Sequence, residues 1–246
     1  LGPAGREPVT ARGPQDQVPA RRVADQRDPL GVEVRRRRDR GEVVDGGADV
    51  LVDGETIAAI FAPGTGPADG VEVLDAAGKY VIPGGVDAHT HMELPFGGTF
   101  ASDTFETGTR AAAWGGTTTI IDFAVQSVGH SLREGLDAWH AKADGNCAID
   151  YGFHMITGDI NDQTLKEMEL LVREGVTSFK MFMAYPGVFY SDDGQILRAM
   201  QKAAEDGATI CMHAENGIAI DVLVEQAVER GEVEPVNHGS VRRAEL

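Results

Sequence analysis

The sequence predicts an α/β fold, a (β/α)8 barrel represented by about its first five βα units, preceded by a small β-sandwich element. Three observations predict it. From Pro83 onward, short apolar strand-like segments alternate with amphipathic helix-like ones, the pattern of a parallel sheet. Histidines and a lysine gather at or near the ends of the strands, where barrel enzymes build their sites. An open doubly wound sheet would add a glycine-rich phosphate loop after a strand, and none is found.

The elements follow in order. Residues 1–40 are rich in Arg, Pro, Gly and Ala and show neither helical nor strand periodicity. With no serine and six acidic residues, the segment does not read as a transit peptide, although Arg35-Arg36-Arg37-Arg38 is a basic run. It is read as a disordered extension or as out-of-frame translation of GC-rich DNA, a reading that the first residue, Leu1, fits. Residues 41–82 contain strand patterns at 48–52, 56–61, 71–74 and 79–82, separated by the turns Asp53-Gly54 and Ala77-Gly78. They form part of the β-sandwich element. Residues 83–246 carry the barrel units. Strands are expected at 85–91, 117–123, 148–155, 177–182 and 208–213, and helices at 103–114, 132–143, 163–173, 195–205 and 217–230. Five units do not close an eight-stranded barrel, which takes roughly 250 residues, so the remaining strands are expected beyond Leu246.

Composition narrows the partners. The net charge of −17 conceals a head of +4 over residues 1–40 and a body of −21 over 41–246. A body this acidic repels nucleic acid and anionic membranes. No apolar run reaches the length of a membrane span. The two cysteines, Cys147 and Cys211, lie far apart in apolar surroundings, which suggests no disulfide framework and a reducing cytoplasm.

Four residues suggest metal chemistry. His89 and His91 form His-x-His within Gly84-Gly85-Val86-Asp87-Ala88-His89-Thr90-His91. Strand side chains alternate, so both imidazoles point the same way, a natural pair of zinc ligands. Lys180 is the single charge in the apolar strand Thr177-Ser178-Phe179-Lys180-Met181-Phe182. Burial there favours the neutral amine, which can add carbon dioxide to become a carbamate; a lysine reaching solvent or an acidic neighbour is the plainer alternative. His213 ends the strand Thr209-Ile210-Cys211-Met212-His213, just before a helix.

Several longer motifs carry a family resemblance. They are Val81-Ile82-Pro83-Gly84-Gly85-Val86-Asp87-Ala88-His89-Thr90-His91, Glu93-Leu94-Pro95-Phe96-Gly97-Gly98-Thr99, Asp103-Thr104-Phe105-Glu106-Thr107-Gly108-Thr109-Arg110, Ala113-Trp114-Gly115-Gly116-Thr117-Thr118, Ser178-Phe179-Lys180-Met181-Phe182-Met183-Ala184-Tyr185 and His213-Ala214-Glu215-Asn216. From about Ala48 to Leu246 the chain resembles the dihydropyrimidinase and D-hydantoinase group of the amidohydrolase superfamily. The resemblance implies a site for two divalent metal ions, with zinc expected. His89 and His91 would hold one ion, Lys180 would bridge as N6-carboxylysine, and His213 would hold the other. It further implies that Tyr185 hydrogen-bonds the substrate carbonyl, and that Leu94, Phe96 and Phe182 shape the pocket for an exocyclic group. A further histidine and an aspartate of the family pattern are expected beyond Leu246.

The implied reaction is hydrolytic opening of the cyclic amide of a 5,6-dihydropyrimidine or hydantoin to an N-carbamoyl amino acid, by a cytoplasmic homo-oligomer (tetramer or dimer). The 246-residue chain alone is expected to be inactive. The alternatives are an allantoinase- or dihydroorotase-like enzyme, against which the Glu93–Thr99 loop speaks, and a non-catalytic scaffold of the same fold. Asp87 is read equally as support behind the metal ligand His89 or as a strand-end turn residue; Asp122, His154 and Cys211 are read as structural, His130 and His140 as solvent-facing, and His238 as no substitute for the further histidine.

Overall fold

The computed structural model describes residues 47–243 and the backbone of Leu30–Glu33. What the sequence suggests for Arg35–Arg38 and the rest of the head lies outside the described residues. The described residues divide at Gly85 and Val86 into two compact units.

The N-terminal unit holds a four-stranded sheet of β1 (Leu30–Glu33), β2 (Asp49–Asp53), β3 (Thr56–Phe61) and β4 (Glu72–Leu74), in the order β3-β2-β1-β4. β1 pairs antiparallel with β2 and parallel with β4, although it lies in a segment without strand periodicity. The strand expected at 79–82 does not form. Tyr80 and Ile82 are exposed at 69% and 77%, and Pro83 brings no N–H to a ladder. Alternation alone makes no strand without a partner edge.

The second unit carries the predicted repeat. β5 (Gly85–Thr90), β8 (Thr117–Val125), β9 (Asp150–Ile156), β10 (Ser178–Phe182) and β11 (Thr209–His213) form one curled sheet in the order β11-β10-β9-β8-β5. The ladders β8–β9, β9–β10 and β10–β11 are parallel, as in part of a (β/α)8 barrel. A hairpin of β6 (Pro95–Phe96) and β7 (Thr99–Phe100) follows β5. The helices are α1 (Phe105–Trp114), α2 (Leu132–Ala143), α3 (Asp162–Arg173), α4 (Asp193–Asp206), α5 (Gly217–Glu229) and the short α6 (His238–Val241).

Local chemistry sets these helices. Thr104, Asn161 and Asp192 cap α1, α3 and α4, each accepting from the backbone N–H three residues on, and Gly207 ends α4 in the left-handed conformation. Strand alternation then sorts the two faces of the sheet. Tyr151, Phe153 and Met155 of β9 and Phe179 and Met181 of β10 join the core beneath the helices, with Phe105, Leu132, Leu136, Trp139 and Met168. The intervening residues face the barrel interior, where Phe123, Ile156, Phe182 and Phe189 form a second apolar cluster.

Candidate active site

Residues from four strands of the sheet (β5, β9, β10 and β11), with the loops that follow them and the β6–β7 hairpin, line a cavity of about 250 Å3 at the C-terminal ends of the sheet: His89, His91, Leu94, Phe96, Ile156, Lys180, Phe182, Tyr185, Phe189 and His213. All eight residues singled out from the sequence lie in this wall. A cavity of about 320 Å3 in the N-terminal unit is larger, but its wall is mainly apolar and holds no histidine or lysine.

His89 and His91 stand with ring centroids 5.1 Å apart, edge to face. Phe123 on β8 packs against both, at 4.6 and 4.9 Å, and against His154 at 4.7 Å. β5 ends at Thr90, one residue short of the expected strand, so His91 lies just past the ladder. Burial holds both imidazoles below the usual histidine pKa, helped for His89 by Lys180 and His154, and for His91 by His89 and Lys180. His91 Nδ1 is buried with no hydrogen-bond partner.

The Lys180 ammonium lies 5.1 Å from the Phe182 ring centroid. Burial pushes its pKa below the ordinary lysine value, and only the Cys211 thiol pulls the other way. His213 pairs with Phe182 in the β10–β11 register and stacks on it at 5.6 Å, while its Nε2 sits 2.5 Å from Glu215 Oε2.

Tyr185 is one of two non-glycine residues with positive φ among the described residues, at 59°. A bulky side chain there is uncommon. The conformation is held by N–H donors from Val188, Phe189 and Tyr190 to the Tyr185 carbonyl. It brings the phenol ring within 5.2 Å of His213, 5.3 Å of Phe96 and 5.9 Å of Phe182. Gly217 seats the start of α5 against this loop, since a Cβ there would lie 2.8 Å from Ala184 Cα and 2.9 Å from the Met183 carbonyl oxygen.

Other polar residues fall outside the cavity. Asp122 is turned toward the helix layer and bonds Thr90, Met92 and Trp139. His154 spans the sheet between Ser178 Oγ and the Ala88 carbonyl. Asp87 accepts from the His89 N–H. His130 pairs with Glu134, His140 lies near Asp144, and His238 pairs with Arg242. Sequence reasoning passed over Phe189, which stacks on Phe182 at 5.0 Å, and Glu215. Phe189 follows Pro186-Gly187, a turn signal that hides a wall residue; Glu215 stands two residues after His213, a spacing that could have flagged it.

Among the described residues, no three His, Cys, Asp or Glu side chains converge as a ready cation cage. The donor set nevertheless suits a metal. Three imidazoles and an amine that favours neutrality share one cavity, and one buried ring nitrogen has no other partner.

The sequence pattern of the Amidohydrolase family matches residues 80–239. A D-hydantoinase of Streptomyces coelicolor is 76% identical over 202 residues, covering 81% of this chain and 43% of that protein. A D-hydantoinase of Geobacillus stearothermophilus is 48% identical over 200 residues, covering 81% and 42%. The crystal structure of a dihydropyrimidinase from Brevibacillus agri superimposes with a TM-score of 0.79 at 43% identity, over 89% of this chain and 46% of that one. The chain spans less than half the length of these relatives.

Proposed function

The chain belongs to the amidohydrolase family, and on that premise we propose that the protein is a metal-dependent hydrolase opening the ring amide of 5,6-dihydropyrimidines or hydantoins to N-carbamoyl amino acids. The observation that carries this reading is the single cavity in which His89, His91, Lys180 and His213 meet Tyr185 and an apolar wall.

His89 and His91 would hold one divalent cation and His213 a second, with zinc expected from the nitrogen-rich donor set. Lys180 would join them as N6-carboxylysine: its neutral Nζ adds to the carbon of CO2 and loses a proton, leaving a carbamate anion. When bound, the cations make hydroxide available near neutral pH and polarise the ring carbonyl. Tyr185 donates its phenol O–H to that carbonyl oxygen and stays with it as negative charge develops. Leu94, Phe96, Phe182 and Phe189 take the ring's exocyclic group and exclude water.

The same wall weighs against a dihydroorotase-like reading. A substrate carboxylate would want a cation, and among the described residues Lys180 is the only lysine or arginine lining the cavity. We further propose a cytoplasmic homo-oligomer, a tetramer or dimer. Free Cys147 and Cys211 support the compartment, and exposed Trp114, Leu197 and Met200 support the assembly.

The test is ring opening of dihydrouracil and hydantoin by the purified gene product, with zinc measured on the same sample. Turnover that disappears on chelation and returns with zinc supports the reading. Stoichiometric zinc without turnover of either ring overturns the substrate class. Absence of bound zinc would favour a scaffold of the same fold.

A further inference from the structure

We infer that Asp122, which takes no part in the chemistry above, is a positioning residue for His91; the inference rests on the reading of His91 as a metal ligand. Its side chain is fully buried on the helix side of β8, facing away from the cavity that its neighbour Phe123 adjoins. Oδ2 accepts from Thr90 Oγ1 at 2.9 Å and from the Met92 N–H at 2.7 Å, while Oδ1 accepts from Trp139 Nε1 at 3.1 Å.

Thr90 and Met92 are the residues on either side of His91. Because β5 stops at Thr90, the strand ladder does not carry the backbone of His91 itself. One carboxylate from the adjacent strand holds both neighbours instead, and Phe123 bears on the imidazole from the cavity side at 4.9 Å. Among the described residues no hydrogen bond reaches the buried Nδ1 to orient the ring. Ring placement therefore depends on where Asp122 and Phe123 put the backbone and the ring face. Aspartate suits the junction because three donors converge on it. An asparagine would turn its amide N–H2 toward the N–H of either Met92 or Trp139.

The alternative is a clamp that merely ties β5, β8 and α2 together. Two mild variants separate the readings, because each removes one hydrogen bond to the same carboxylate. Thr90→Val loosens the side that holds His91, whereas Trp139→Phe loosens the side that holds α2. The gene product and both variants are stripped of metal, titrated with zinc against a competing chelator, and melted in the metal-free state.

Thr90→Val is expected to weaken zinc binding about 10- to 100-fold, the usual cost of disturbing the support of a metal ligand. Trp139→Phe is expected to lower the melting temperature of the metal-free protein and leave zinc affinity unchanged. In Asp122→Asn, zinc binding should weaken, and adding Trp139→Phe, which removes the donor opposing the new amide, should restore part of it. If Asp122→Asn does not fold, the other two variants still decide. Equal zinc affinity in Thr90→Val and Trp139→Phe, in a protein whose wild type binds zinc, overturns the positioning role alone. A wild type that binds no zinc overturns the metal reading and this inference with it.

Discussion

Lys180 and Cys211 face each other across the parallel β10–β11 ladder, so the amine in the cavity wall stands beside a thiol and not a carboxylate. Burial pushes the lysine toward its neutral form, with only that thiol opposing. A half-buried amine with no acidic partner among the described residues favours the neutral form that adds carbon dioxide, whereas a salt-bridged one would stay protonated.

Lys180→Arg is therefore expected to abolish the bridging position. Arginine remains charged and forms no carbamate under these conditions. Zinc content should fall in the variant, and the increment of one CO2 expected in native mass spectrometry of the wild type should be missing. An arginine variant with the full zinc complement would exclude the carbamate.

The metal-free protein should lose stability on acidification. His89 and His91 have folded pKa values below 6.5, with burial the main cause, so the unfolded chain takes up their protons first. Their contribution is present above pH 6.5 and is lost as pH falls through the lowered folded values. The urea midpoint should drop between about pH 7 and about pH 5, the range in which histidine titrates. His91→Gln should flatten that slope; an unchanged slope would assign the acid sensitivity to other groups.

Tyr185→Phe keeps the ring against Phe96, Phe182 and His213 and removes only the hydroxyl. Loss of one such donor to a developing oxyanion costs about 10²- to 10³-fold in kcat. Zinc content should stay at the wild-type level. A variant with wild-type kcat would reduce Tyr185 to a wall residue.

The two thiols should react at very different rates. Burial first, then the Asp122 and Asp144 charges, push the Cys147 pKa up to about 12, and the side chain is buried in the core. Thiolate is the reactive form. Iodoacetamide on the native protein should label Cys211 well before Cys147, with Cys147 labelled only on unfolding, as peptide mapping would show. Early labelling of Cys147 would mean that the core beneath α2 opens readily.

Periodicity was enough to read the five βα units. Helix boundaries fell within about two residues of those observed, as caps such as Thr104, Asn161 and Asp192 are written locally. Alternation along Ser178–Phe182 likewise separates Lys180 from Phe179 and Met181 before any fold is known. Pairing was less legible. Residues 79–82 have the pattern of a strand and find no edge, whereas Leu30–Glu33 form one in a segment whose composition hides it.

Residue type and spacing in the sequence therefore determined which side chains could hold a metal and on which face of a strand they lie. Tertiary structure decided what those side chains meet: Phe123 against both histidines, Phe189 in the cavity wall, and Glu215 against His213. It also turned Asp122 away from the cavity and onto the two residues that flank His91. The division has a physical cause. Side-chain direction follows from the two-residue repeat of a strand, a local property, whereas contacts between strands depend on register and sheet curl, which the whole core sets together.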